Sequence, residues 1–159
     1  MLKRSIVAAA FALAACGGSS GPATHFGATM NGANEVPAKT TAATGTATYV
    51  INATSVDYTV TWTGLSGNAT AGHIHVGTPD VAGGVVVPFT LSAAQKAPQG
   101  TLTGTFTAAD VQAATGGTVS VAKNDFDGLI AAMRAGNTYT NVHTALNPGG
   151  EIRGTNTAQ

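Results

Sequence analysis

Hydrophobic and polar residues alternate along most of this chain with a period of two, the repeat of strands rather than helices. From Thr46 to Ile51 the residues Ala47, Tyr49 and Ile51 share a face. From Val56 to Trp62 so do Val56, Tyr58, Val60 and Trp62, with Asp57, Thr59, Thr61 and Thr63 opposite. Asn52-Ala53-Thr54-Ser55 between the two runs predicts a hairpin turn. A strand near Phe26 to Asn31 precedes them, and Gly32-Ala33-Asn34-Glu35-Val36-Pro37 then interrupts regular pairing, because proline cannot donate to a ladder. Ala69 to Val76 reads as the next strand, Val85 to Leu91 as an edge or bulged strand broken by Pro88, and Thr101 to Phe106 as another. Helical spacing enters twice. Thr107-Ala108-Ala109-Asp110 is a capping pattern with Asp in place of the usual Glu or Gln, and Asp127 to Ala135 leads up to Gly136, a C-terminal cap. Gly116 to Asn124 has no clear period and leaves room for a short extra hairpin. The chain ends in a hairpin, Asn137 to Thr144 and Glu151 to Asn156, turning at Asn147-Pro148-Gly149-Gly150. Seven or eight short strands with one or two small helices predict a mainly β domain, an antiparallel Greek-key sandwich or partly closed barrel.

Composition supports that reading, since charged residues make up only 9% of the chain while Thr, Gly, Ala and Val abound. The first residues change the picture. Lys3-Arg4 followed by an apolar run from Ile6 to Ala15, too short to span a bilayer, is the pattern of a signal peptide over residues 1–15. Its end, Leu13-Ala14-Ala15-Cys16, resembles the lipobox of bacterial lipoproteins, which implies lipid on Cys16, the sole cysteine. Residues 16–24, with Gly17-Gly18-Ser19-Ser20-Gly21-Pro22, then form a flexible tether, and residues 25–159 one domain with one core. Without Lys3 and Arg4, five basic residues face seven acidic ones, a net charge of about −2 that argues against a nucleic-acid partner. The expected partner is a membrane, through the N-terminal lipid; the sequence names no protein partner. Gly17 lacks the Asp that follows the lipidated cysteine in inner-membrane lipoproteins, so the lipobox resemblance implies the outer membrane, with the domain periplasmic or at the cell surface.

Three of the four histidines fall in two strand-like stretches, His73-Ile74-His75 and Asn141-Val142-His143-Thr144. Side chains at i and i+2 of a strand project to one face roughly 6.5 Å apart, so His73 and His75 point together and one imidazole from a neighbouring strand completes a three-nitrogen metal site. Such a thiol-free donor set favours Cu(II) first and Zn(II) second. The alternative is that the three rings only hydrogen-bond neighbouring strands. His25, near the tether, stands apart from them. Glu151 and Arg153 share a strand face and suggest a structural ion pair, with each other or with Glu35. Tyr49, Tyr58 and Trp62 read as packing residues. Hydrolytic chemistry finds no Gly-X-Ser-X-Gly elbow and no carboxylate pair in a recognisable cleft, so no catalytic residue is assigned.

Four motifs in order, Gly32-Ala33-Asn34-Glu35-Val36-Pro37, His73-Ile74-His75, Gly136 to Thr144, and Asn147-Pro148-Gly149-Gly150-Glu151-Ile152-Arg153-Gly154, resemble the CHRD domain. The family is named after chordin, an extracellular growth-factor antagonist, and is common in bacterial secreted proteins. The resemblance covers nearly all of residues 26–156. It implies an immunoglobulin-like or superoxide-dismutase-like β-barrel and carries no settled activity. The His-X-His pair is also similar to the ligand strand of Cu/Zn superoxide dismutases, although a bridged second metal and the dismutase disulfide have no counterpart here. Three function classes follow, in this order: a metal-binding envelope protein, a non-metal adhesion or partner-binding module, and a copper redox enzyme. The chain departs from the family pattern at Val76-Gly77-Thr78-Pro79, where Gly-Pro is usual after the histidines; at Thr140, where a larger apolar residue is common; and over Gly116 to Asp127, which reads as an insertion.

Overall fold

The structure, a computed structural model, describes residues 21–159. The expected signal peptide, Cys16 and most of the expected tether lie outside the described residues. Eleven strands run β1 (His25–Asn31), β2 (Thr44–Ile51), β3 (Ser55–Thr63), β4 (Ala69–Val76), β5 (Val85–Phe89), β6 (Gly100–Thr107), β7 (Ala114–Gly116), β8 (Val119–Val121), β9 (Thr138–Thr144), β10 (Ile152–Thr155) and β11 (Thr157–Ala158), with one helix, α1 (Phe126–Arg134), between β8 and β9. Nine strands form one antiparallel sheet in the order β5-β4-β9-β10-β1-β2-β3-β6, with β11 also on β1; β7 and β8 form a separate small hairpin. The large sheet curls into a nearly closed barrel. Its two ends approach each other where Tyr58 of β3 stacks on Phe89 of β5, ring centroids 4.6 Å apart.

The alternation holds where it is read. Phe26, Ala28 and Met30 of β1, Ala47 and Tyr49 of β2, Val56, Val60 and Trp62 of β3, Ile74 and Val76 of β4 and Ile152 of β10 turn inward into one core. Tyr49 and Trp62 are buried and Tyr58 partly so, as packing residues. Pro88 does lie on an edge strand, where its missing donor leaves no interior ladder bond open. Four polar side chains in the interior satisfy one another. The Tyr49 hydroxyl donates to Thr140 Oγ1, which donates to Asn156 Oδ1 at 2.7 Å, and Asn156 Nδ2 donates to Thr138 Oγ1 at 3.1 Å. A hydroxyl at position 140, where the family pattern has a larger apolar side chain, is thus a link in a buried hydrogen-bond chain.

The helical expectations resolve unequally. Thr107 caps only a 3-10 turn over Ala108–Asp110, its amide and hydroxyl both reaching Asp110 Oδ2. The real helix starts one residue before the expected Asp127, because Asp125 accepts from the Gly128 amide as N-cap. Gly136 follows it at φ +69°, a backbone conformation suited to glycine. The apparent insertion is the β7–β8 hairpin, which braces the base of the loop after β4: the Gly84 amide donates to the Thr115 carbonyl at 2.8 Å. No helix among the described residues is long and apolar enough to cross a membrane.

Candidate metal centre

Because Ile74 and Val76 fill the barrel, His73 and His75 face out of it. β9 is the next strand, with His73 opposite Asn141 and His75 opposite Tyr139, so Tyr139, Asn141 and His143 project to the same outer face. β10 follows and adds Arg153, opposite Asn141. An outer face would normally be wet, yet His75 and His143 are each 8% exposed and Asn141 is 1% exposed. Residues 77–84 cover it from one side and the 145–150 turn from the other.

The two loops also set the protonation of the rings. A carbonyl can only accept, so His75 Nδ1–H donates to the Gly83 carbonyl at 2.9 Å and His143 Nδ1–H donates to the Pro148 carbonyl at 2.9 Å. Burial disfavours the charged form of all three histidines and lowers their pKa values; His73 falls to about 4, with His143 and His75 adding repulsion. Neutral rings whose Nδ1 carries the proton present a bare lone pair at Nε2. His75 Nε2 is buried without any hydrogen-bond partner. His143 Nε2 lies 3.0 Å from His73 Nδ1, and the three rings offer ligand nitrogens all within 4.8 Å of one another. Nitrogen donors bind an ion at about 2.0–2.1 Å, so a small inward movement of the rings encloses one. Backbone carbonyls fixing the remote nitrogen are the outer layer that orients metal-binding imidazoles. The three histidines therefore form a group that could hold a metal ion.

Around them stands a second ring of residues. Tyr139 stacks on His75 with centroids 4.8 Å apart and planes at 6°, and the Arg153 guanidinium carbon lies 3.7 Å from the Tyr139 ring centre. Arg153, 2% exposed, donates to the carbonyls of Val81, Thr78 and Pro79. The loop that departs from the family pattern is thus clamped from beneath by a buried cation. Glu35 lies close enough to Arg153 to feel its charge, but burial dominates and raises the Glu35 carboxyl to about 7.

The expected Glu151–Arg153 ion pair is not formed. Glu151 accepts from Thr41 Oγ1 (2.9 Å), the Ser66 amide (2.8 Å), Ser66 Oγ (2.6 Å), Thr144 Oγ1 (2.7 Å) and Asn147 Nδ2 (3.1 Å). Burial by itself pushes this carboxyl up; the donors from Ser66, Thr144 and Thr41 outweigh it and bring it down to about 2. The regular strand begins only at Ile152, so the i, i+2 expectation does not hold for Glu151, and the two side chains take separate partners: hydroxyls and amides for Glu151, loop carbonyls for Arg153. Glu151 instead ties four segments together at the barrel end. His25, at the start of β1, is exposed and outside the cluster, its ring hydrogen-bonded to the Thr24 hydroxyl.

Sequence reasoning gives Glu35 only as an ion-pair partner and Asn141 only as a strand residue, and assigns the carbonyls of Gly83 and Pro148 no role. Asn141 shares its face with His143 by simple alternation, a signal that was available; backbone carbonyls of loops leave none.

The match of the CHRD domain spans residues 26–155. The chain belongs to the CHRD family. That span takes in every strand of the barrel through β10 and all three histidines, so the site is built within the CHRD domain. Searches of curated proteins and of solved structures gave no significant match.

Proposed function

We propose that this CHRD domain is a metal-binding module of the cell envelope, holding one Cu(II), or Zn(II) as second choice, through His73, His75 and His143. The observation that carries the reading is the buried, unpartnered Nε2 of His75 beside two further imidazoles. A buried polar atom without a partner costs about 1–3 kcal/mol, and a bound ion removes that cost. Neutral imidazoles with no thiolate nearby match copper best in the divalent series and zinc next. The Leu13-Ala14-Ala15-Cys16 sequence supports lipid attachment at Cys16 and placement at the outer membrane, with the domain in the periplasm or at the surface. Binding and handling of the ion, rather than turnover, is the role proposed.

Metal analysis of the purified protein before and after chelation, followed by calorimetric titration with Cu(II) and Zn(II) at pH 7.5 and pH 5, tests this. One equivalent of copper bound at pH 7.5 is expected, with only modestly weaker binding at pH 5, because burial lowers the histidine pKa values, His73 to about 4, and protons compete weakly for the ligand nitrogens above that. A folded protein that binds neither ion would return the histidines to a structural role and leave partner binding as the better reading. Mass spectrometry of the mature N-terminus tests the lipid: cleavage elsewhere with an unmodified Cys16 would remove the anchor.

A further inference from the structure

We propose that the Asn141 carboxamide oxygen is the fourth ligand of the three-histidine centre, held in that orientation by Glu35. The proposal rests on the metal-binding reading and specifies its donor set as three nitrogens and one oxygen.

The starting point is His143 Nε2. Its ring proton is committed to the Pro148 carbonyl, so Nε2 offers a lone pair. Two atoms face it at 3.0 Å, His73 Nδ1 and Asn141 Oδ1. His73 Nδ1 can carry a proton and donate it. Asn141 Oδ1 cannot; it is an acceptor set against an acceptor in a buried place, and a positive charge shared between them resolves the conflict. On the neighbouring strand Asn141 stands directly opposite His73. One carboxamide thus faces His143 and adjoins His73, in a group whose His75 and His143 present bare Nε2 lone pairs. That arrangement suits a tetragonal N,O environment of Cu(II) and equally a four-coordinate Zn(II).

A carboxamide can turn over and offer its NH2 instead. Glu35 opposes the turn. Its Oε1 is buried with no hydrogen-bond partner, and the residue is 6% exposed. Oε1 and Asn141 Nδ2 both border the space above Gly150, without a hydrogen bond between them: a Cβ placed on that glycine would collide with Glu35 Oε1 and stand 2.9 Å from Asn141 Nδ2. With Oδ1 toward the histidines, Nδ2 brings a donor toward the orphaned carboxylate oxygen. Turned over, the amide would set its oxygen against the ionised Glu35 carboxylate, the major form at pH 7.5. Glu35 is too far away to join the ligand group itself and acts as a positioning residue. The glycine at position 150 is required because any side chain there would part the two groups.

The test is Cu(II) titration of the full chain by calorimetry and electron paramagnetic resonance, comparing wild type with Asn141→Ala, Asn141→Asp and Glu35→Leu. Asn141→Ala is expected to weaken binding by about 10–100-fold, alter the copper spectrum and admit an additional exchangeable water, seen as line broadening in 17O-water. Asn141→Asp keeps a ligand oxygen and restores tight binding. Glu35→Leu weakens binding several-fold without admitting the water. Near-UV circular dichroism checks the fold; should Asn141→Ala not fold, Asn141→Leu against Asn141→Asp makes the same comparison. Equal affinity and an unchanged spectrum in the variant lacking the oxygen would overturn the fourth ligand while leaving the three-histidine site standing. No copper binding by wild type would overturn both.

Discussion

The barrel has two outer faces made of the same kind of strand, and they are treated in opposite ways. Across β1, β2, β3 and β6, Thr29, Thr46, Thr61 and Thr101 are cross-strand neighbours in one row, and Thr48, Thr59 and Thr103 form the next. No loop covers these rows; their hydroxyls meet water or each other, as Thr46 and Thr61 do at 2.8 Å. Across β4, β9 and β10 the outward side chains are His73, His75, Tyr139, Asn141, His143 and Arg153, and two loops seal most of them from water. Both faces share one apolar core, so the core does not require the second to be covered. Covering it costs free energy, because polar groups lose water. The buried side-chain atoms left without a partner among the described residues, Glu35 Oε1 and His75 Nε2, both lie in or beside the covered region. The face that serves only as sheet is left wet, whereas the sealed one keeps polar groups partly unsatisfied, the feature that supports the metal-binding proposal.

Glu151→Ala should give the largest effect on the covered side. It leaves five donors facing a cavity and is expected to lower stability by about 3–5 kcal/mol, measured by urea denaturation. A loss below about 1 kcal/mol would mean the covered region is not anchored through this carboxylate.

Next in size is His75→Ala, expected to lower Cu(II) affinity about 100-fold or more while the metal-free protein keeps its fold, because the lost side chain carries the orphaned nitrogen. Calorimetry and circular dichroism on the same samples separate the two effects.

Acid should act on the covered face in two stages. The histidine pKa values are depressed in the folded state, so the unfolded chain binds more protons; stability is complete above about pH 6.5 and falls as pH drops toward 4, the value of His73. Glu151 is also depressed, so its contribution is present above its ordinary pKa of 4.5 and is lost as pH falls toward 2. Urea midpoints measured from pH 8 to 3 should show the first decline in the metal-free protein, while copper should raise the midpoints by an increment that shrinks as pH approaches 4, where protons begin to displace the ion. An identical profile with and without copper would contradict a shared site.

Thr103→Ala on the open face should change stability by no more than about 0.5 kcal/mol. A larger loss would show that the threonine rows carry packing energy after all.

The strands, the edge position of Pro88 and the shared face of Tyr139, Asn141 and His143 were legible because each depends on a period of two within one segment. Convergence of His143 with His73 followed from the family motifs as much as from spacing. What was not legible depends on partners distant in sequence: Glu151 is satisfied by Thr41 and Ser66, and Arg153 by carbonyls near residue 80. The same holds for tautomers, which Gly83 and Pro148 fix through groups every residue possesses. The ion-pair expectation failed because the strand begins only at Ile152 and each charge found partners from distant segments, which the strand pattern does not encode.

Arg153 has a consequence for how fast an ion would come and go. Its guanidinium grips the Thr78, Pro79 and Val81 carbonyls and rests on Tyr139, the ring against which His75 is stacked. Lifting the loop away from His75 therefore means breaking a cation's hydrogen bonds and its aromatic contact together, a cooperative opening rather than the fraying of a surface loop. Amide hydrogens around Val81 should exchange with deuterium nearly as slowly as those of β4 itself. A captured ion would have a residence time set by that opening, long compared with its time of arrival.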